Sequence, residues 1–176
     1  MQTVIDSGHS DPELNDPFLT TREVFLLKGG SASRLSAYQQ LGARGRAQIL
    51  AAIEDEDVPA SQIQAAFSEG PRALDVEWFA NAPDLANLLR FMRATADPLA
   101  FDIMAINPSM APATRATWSY AGYKGGSEPG VLNLTWLLTD AARRDHALVL
   151  SWKNPEANLN QTALEMIAQR ILSFPK

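Results

Sequence analysis

A lysine followed by two glycines and a serine, within "GYKGGSEPGVLNLTWLL" at residues 122–138, is the stretch whose residue types most directly indicate chemistry. The ammonium group of Lys124 can bind a substrate carboxylate or assist a proton transfer. Gly125 and Gly126 can let a ligand approach the backbone closely, and Ser127 supplies the nearest hydroxyl. The same pattern is also typical of a glycine-rich hairpin turn beside an exposed lysine, so both interpretations stay open.

A serine activated by a histidine would indicate a different hydrolase. His146 is the candidate base, and the candidate nucleophiles are Ser109, Ser119 and Ser127. Its place next to Asp145, at the start of an apolar run, is typical of a histidine at a hairpin end. His9 lies in a polar arm and offers no clearer case.

The elements that must position these residues form two parts. Residues 1–19 are polar and interrupted by two prolines, which predicts an irregular arm or loop. Residues 20–115 show mainly helical spacing, and residues 116–176 predict a sheet followed by a C-terminal helix. We therefore expect one partial α+β domain over residues 1–176.

Local signals place the helices. Thr20 and Glu23 have capping-box spacing, and Asn81 followed by Pro83 indicates a second helix start. Residues 72–81, "RALDVEWFAN", are predicted to be extended or strand-like. The other predicted helices are two pieces within residues 33–54 broken near residues 42–45, one ending at residue 70, and one from Asp97 and Pro98 to Ile106; residues 107–114 are predicted as loop.

The hydrophobic period then changes to two. "TWSYAGYK", "VLNLTWLLT" and "HALVLSW" predict three strands, joined at residues 125–130 and 139–145, and such short connections favour an antiparallel meander. A C-terminal helix with capping-box spacing at Thr162 and Glu165 should cover the sheet. Its predicted inward residues are Leu164, Ile167, Ala168, Ile171 and Leu172.

The segment from "YKGGSEPGVLNLTWLL" through "HALVLSWKNPEA" to the last helix resembles the C-terminal part of the serine β-lactamase and penicillin-binding-protein superfamily, and is most similar to class A β-lactamase-like hydrolases. In that family a Lys-Thr/Ser-Gly motif lies on the strand that lines the catalytic cleft. The resemblance makes Lys124 a catalytic candidate and Gly125, Gly126 and Ser127 substrate-binding candidates. Here Gly125 replaces the family's hydroxyl residue.

A second similarity lies in "DPELNDPFLTTREVFLLK", residues 11–28, which resembles the family's loop carrying the deacylating glutamate and the helix after it. The resemblance places Asp11 at the general-base glutamate, one methylene shorter, whereas Glu13, Leu14 and Asn15 match the family pattern. Asp11-Pro12 is also typical of the start of a solvated turn, since a short acidic loop is common.

The family's nucleophile motif, Ser-x-x-Lys, has one match in spacing, Ser173 to Lys176, at the last four residues with a proline inside. No Ser-x-Asn or Tyr-x-Asn is present. We therefore expect the C-terminal portion of such a hydrolase, inactive alone, with the missing motifs upstream of Met1. The alternative is a non-enzymatic binding or interaction module.

Composition limits the partners. A net charge of −5 gives no basic stripe for nucleic acid, and the absence of Cys with only two His argues against a metal site. We expect no cofactor, no nucleic acid and no membrane span. A β-lactam, peptide or other acyl substrate, a complementary N-terminal half or self-association remain the candidate partners. The family is commonly periplasmic or secreted, but no signal peptide is recognisable, which leaves the compartment open.

Overall fold

The three predicted strands form one antiparallel sheet in the computed structural model, which describes residues 1–68 and 70–174. The strands are β1 (Tyr120–Glu128), β2 (Val131–Thr139) and β3 (Asp145–Lys153), in the order β1-β2-β3. The predicted meander and the α+β fold class are confirmed.

The turn between β1 and β2 lies later than predicted. Lys124 pairs with Thr135 and Gly126 with Asn133, so both glycines of the motif lie inside β1. Pro129 and Gly130 alone join the strands, and Gly130 has φ +80°, which residues with a Cβ rarely adopt. The predicted connection at residues 125–130 is therefore wrong, because Pro-Gly is the stronger turn signal.

The described residues form nine α-helices and one short 3₁₀ helix, Pro12–Asn15. The capping boxes at Thr20 and Asn81 are confirmed, as is the break between the two helices near residue 42. The helices are α1 (Gln2–Asp6), α2 (Thr21–Gly29), α3 (Ala32–Gln40), α4 (Ala43–Ala52), α5 (Ala60–Ser68), α6 (Ala82–Thr95), α7 (Pro98–Ala105), α8 (Pro112–Arg115) and α9 (Gln161–Leu172).

Four local predictions need correction. The N-terminal arm contains α1 and the 3₁₀ helix, and α8 interrupts the predicted loop at residues 107–114. Residues 72–81 form no strand; they are held by side chains of the arm, since the Asn15 amide oxygen accepts the Phe79 N–H at 2.9 Å. The N-cap of α9 is Asn160, two residues before the predicted cap Thr162, because the Asn160 side chain accepts the Ala163 N–H.

The two faces of the sheet differ. The face that carries Leu132, Leu134, Trp136 and Leu138 packs under α9, and we call it the α9 face. The opposite face carries Lys124, and we call it the lysine face. Helices α6 and α7 cover the end of the lysine face near Tyr120, where Arg93 of α6 donates to Thr139 at 2.8 Å and to Asp145 at 3.1 Å.

Two hydrophobic clusters hold the chain together. The first joins helices α2, α3 and α4 around Leu26, Leu27 and Ile53. It also includes Val76, from the segment between α5 and α6. The second lies between α9 and the sheet, with Trp136 at its centre. Of α9's predicted inward residues, Ala168 and Leu172 are buried, whereas Ile167 and Ile171 remain 52% and 38% exposed. Across residues 1–68 and 70–174, no helix combines the length and apolar character needed to cross a membrane.

Candidate functional site on the first strand

Lys124 lies in the middle of β1 with its side chain exposed. Its ammonium group donates to the carbonyl oxygen of the adjacent Gly125. Within the described part of the chain, no carboxylate lies within ion-pair distance of this lysine. The positive charge is thus available to an external anion.

A row of polar side chains lies beside Lys124 on the lysine face. Thr135, its cross-strand partner, donates to the Asn133 amide oxygen at 2.8 Å. Asn133 in turn donates to the Ser151 hydroxyl at 2.6 Å. The only sequence signal for this row is that Asn133, Thr135 and Ser151 are the polar members of the alternation in "VLNLTWLLT" and "HALVLSW". Thr135 is buried and its hydroxyl proton is used in its bond to Asn133. Asn133 keeps a second amide hydrogen and Ser151 keeps its hydroxyl hydrogen, so these two side chains and Lys124 can donate to a carboxylate.

The remaining members of the predicted motif are divided between the two faces. Gly126 shares the lysine face, and the space above it is open to 4 Å. Gly125 lies on the α9 face, where the Tyr123 phenol fills the position that a Cβ would take. Ser127 also belongs to the α9 face, opposite Leu132. Lys124 and Ser127 therefore do not face the same ligand.

Ser127 instead borders a cleft of about 470 Å³ at the β1–β2 turn. The cleft is open to solvent and is bordered by the end of α5, the hairpin turn and the segment that leads into α9. Its lining residues are Phe67, Ser127, Glu128, Pro129, Gly130, Asn158, Leu159 and Gln161. It offers one hydroxyl, one carboxyl group, two side-chain amides and an aromatic wall.

A lysine that sequence analysis did not single out is fully buried behind this cleft. Lys28, in the last turn of α2, has no exposed surface and contacts two carboxylates. Its ammonium donates to Glu77 and, at 2.6 Å, to Glu128. Because an unpaired buried charge is costly, Lys28 needs a carboxylate partner in this position. We call Lys28, Glu77 and Glu128 the buried ionic cluster.

The buried ionic cluster has one more carboxylate than ammonium group. Burial raises the pKa of Glu128 from 4.5 to about 7; Lys28 opposes the rise and the nearby Glu77 adds to it. One oxygen of Glu128, Oε1, is buried without a hydrogen-bond partner among the described residues. Near neutral pH the cluster therefore gains and loses a proton at Glu128.

Asp11 lies in another part of the molecule. It precedes the 3₁₀ helix, its side chain is exposed, and its backbone N–H donates to His9 Nδ1 at 3.0 Å. That bond makes Nδ1 an acceptor, so the ring proton is on Nε2, which donates to the Phe79 carbonyl at 2.6 Å. No hydrogen bond or ion pair joins Asp11 to Lys124 in residues 1–68 and 70–174. The structure therefore does not bring these two predicted catalytic residues into contact.

The surroundings of Asp11 anchor the N-terminal arm to α6. Asp84, the third residue of the Asn81 capping box, accepts the Ser10 backbone N–H at 2.8 Å and the Ser10 hydroxyl at 3.2 Å. Burial opposes its charged form, but backbone hydrogen bonds from Asn81 and Ser10 lower the pKa of Asp84. The His9 neighbourhood is thus a structural junction, in which Ser10 donates to a carboxylate and not to the imidazole.

The alternative serine–histidine site is also not assembled. His146 hydrogen-bonds Asp140 at 3.0 Å, and the Ser119 hydroxyl donates to the Asp140 carbonyl at 2.9 Å. Hydrogen bonds from the Arg144 backbone and from His146 hold the pKa of Asp140 well below its usual range. No serine hydroxyl bonds to a histidine or lysine nitrogen in the described residues. Asp140 therefore organises the β2–β3 turn.

Of the terminal Ser-x-x-Lys spacing, the structure describes the first two residues, Ser173 and Phe174. Ser173 ends α9, and its hydroxyl donates to the Arg170 carbonyl at 2.8 Å. Pro175 and Lys176 lie outside the described residues.

In comparisons with known proteins, no family model matches the sequence and no curated protein matches it significantly. The resemblance to β-lactamase-like hydrolases thus stays a prediction that depends on the motifs around Lys124 and Asp11.

Proposed function

We propose that this chain forms one wall of the ligand cleft of a β-lactamase-like serine hydrolase, recognises an acyl substrate through its carboxylate, and has no hydrolytic activity alone. The observation that supports the proposal is Lys124, an exposed cation on an edge strand, beside hydrogen-bonding side chains and without a carboxylate partner in the described part of the chain.

The chemistry divides into recognition and catalysis. The Lys124 ammonium group attracts a carboxylate, and the free amide hydrogen of Asn133, on the same face, can fix its orientation. Acyl transfer additionally needs a nucleophile in contact with a base. In the described residues, every hydrogen bond of a serine hydroxyl is with a backbone group, a carboxylate or a neutral side chain, so no serine hydroxyl contacts a histidine or lysine base. The geometry therefore favours recognition over catalysis.

Two measurements test the proposal. Titration of the ¹⁵N-labelled protein with benzylpenicillin should shift the amide signals of β1 around Lys124, and Lys124→Gln should abolish the shifts. Lys153→Gln, which removes an exposed lysine at the end of β3, is the matched control and should retain them. Equal behaviour of the two variants would contradict recognition by Lys124.

Catalytic inactivity is tested separately. Incubation with a fluorescent penicillin followed by intact-mass measurement should leave the chain unmodified. A stoichiometric acyl adduct would refute the proposed inactivity, and the position of the adduct would identify the nucleophile.

A second candidate is a self-sufficient binding module without any hydrolase relationship. The two closed hydrophobic clusters and the capped helices favour it. It predicts specific ligand binding together with a single cooperative unfolding transition. A broad transition with exposed apolar surface would instead favour a portion that depends on another chain segment.

A further inference from the structure

The outer edge of β3 is long and regular, and no other strand of the described residues pairs with it. The strand has nine residues, no proline, and partly buried side chains from Leu148 to Leu150. Trp152 is 40% exposed. Natural proteins usually protect such edges with prolines, bulges or inward charges, because an open apolar edge accepts a further strand.

Helix α9 presents an apolar flank on the same side. Gln169 donates to the Ser109 carbonyl at 2.9 Å, and Ser109 lies beside Tyr123 of β1, so this flank of α9 faces β1. An α-helix turns by ~100° per residue, so side chains two residues apart point about 160° away from each other. Ile167 and Ile171 each lie two residues from Gln169. The two exposed isoleucines therefore extend toward the β3 side.

We propose that the β3 edge pairs antiparallel with the β3 edge of a second copy of this chain, which gives a two-fold symmetric dimer with a continuous six-stranded sheet. The register that pairs all nine residues places Val149 opposite Val149 of the second copy. The same register places Leu148 opposite Leu150, and Asp145 opposite Lys153, twice in the dimer. Opposite charges at both ends and matched apolar residues at the centre make this edge complementary to itself.

The side chains at the ends are compatible with such pairing. The intramolecular bonds of Asp145 to Arg93 and Thr139 both use Oδ1. Lys153 makes one long bond, 3.4 Å, to the Leu74 carbonyl. Each group can therefore reach a partner across the seam.

The helices also fit this arrangement. Neighbouring strands lie about 4.8 Å apart, and α9 contacts both β2 and β3. A helix centred between those strands lies about 5 Å from the seam, which puts the two copies of α9 about 10 Å apart, close to the usual helix-packing distance of ~8–10 Å. Ile167 and Ile171 would then fill the space between the helices.

The other edge of the sheet does not have this complementarity. The equivalent full-length pairing of β1 places Lys124 opposite Lys124 of the second copy. Like charges directly opposite each other are destabilising. The inference is therefore specific to β3.

Sedimentation equilibrium tests the assembly. The chain should be dimeric, Ile167→Asp should weaken the dimer by at least about tenfold, and Met166→Asp should leave it unchanged. Met166 is the matched control because it is 68% exposed and points away from the sheet on the same helix. A monomer at every soluble concentration, or the same effect of both substitutions, would overturn the proposal.

Disulfide trapping tests the register independently, since the chain contains no cysteine. Under mild oxidation Val149→Cys should form a covalent dimer, because opposed residues of antiparallel strands have Cα atoms about 4.5–5.5 Å apart, which a disulfide spans. Ser36→Cys, exposed on α3, should not. A dimer that resists cross-linking at position 149 would rule out this pairing.

Discussion

Replacement of Glu128 by glutamine should change how the stability of the protein depends on pH. At pH 8 the buried ionic cluster contains one ammonium and two carboxylates, and Glu128 pays a desolvation cost that its contact with Lys28 only partly offsets. Glutamine has nearly the same shape and can still accept the Lys28 hydrogen bond, but it carries no charge. Glu128→Gln should therefore stabilise the protein at pH 8.

The direction follows from the raised pKa. Between pH 4.5 and about 7 the folded protein holds a proton on Glu128 that the unfolded chain has already released. The wild-type free energy of unfolding should thus fall as pH rises through this interval and level off above it. At pH 5 the glutamate is protonated in the folded state, so wild type and variant should be similar.

The size of the effect follows from the same interval. A rise in pKa from 4.5 to about 7 corresponds to roughly 3 kcal/mol, at ~1.4 kcal/mol per pH unit. Solvent in the adjacent cleft screens part of this cost. We expect Glu128→Gln to gain about 1–2 kcal/mol relative to wild type between pH 5 and pH 8.

Urea unfolding followed by tryptophan fluorescence at pH 5 and pH 8 measures this difference. All other titrating groups are common to both proteins, so the variant-minus-wild-type difference reports on Glu128. Glu156→Gln, which removes an exposed carboxyl group, is the control and should show no such change. A Glu128→Gln protein that is less stable than wild type at pH 8, or whose pH dependence is unaltered, would refute the reasoning.

Lys28→Met should lower the free energy of unfolding by about 3–5 kcal/mol at pH 8 and by less at pH 5, since it leaves the carboxylates of Glu77 and Glu128, 18% and 10% exposed, without their ammonium partner; urea unfolding at both pH values tests this. Asn81→Ala should cost about 1 kcal/mol by removing the cap that accepts the Asp84 N–H, measured against Asn87→Ala inside the same helix. Asp140→Asn should destabilise the protein at pH 7, and its difference from wild type should shrink as pH falls below 3.8, because the lowered pKa makes the carboxylate stabilising only above that range.

Local signals explain which elements were predictable. The Thr20–Glu23 spacing and the Asn81-Ala82-Pro83 start each place a helix within a few residues, because capping satisfies backbone groups of the same segment. The alternation in β2 likewise predicts which residues lie under α9. In each case the physical cause lies within about ten residues.

The predictions from sequence fail where contacts between residues far apart in the chain determine the structure. Gly125 and Gly126 are typical turn residues, yet they lie in β1 because pairing with β2 and the Tyr123 ring hold that segment extended. Asp11 matches a family position by residue type, but its neighbours are the start of α6 and the loop around Phe79, which sequence spacing does not show. The polar row beside Lys124 was visible in the alternation and was not assigned to a site.

The buried ionic cluster was the least predictable feature, and it connects the two parts of the fold. Lys28 is separated from Glu77 by 49 residues and from Glu128 by 100 residues, so no local pattern links them. Lys28 belongs to the helix that contributes Leu26 and Leu27 to the first hydrophobic cluster, whereas Glu128 ends the strand that carries Lys124. A proton gained or lost at Glu128 therefore acts on the contact between the helical part and the sheet more than on either core.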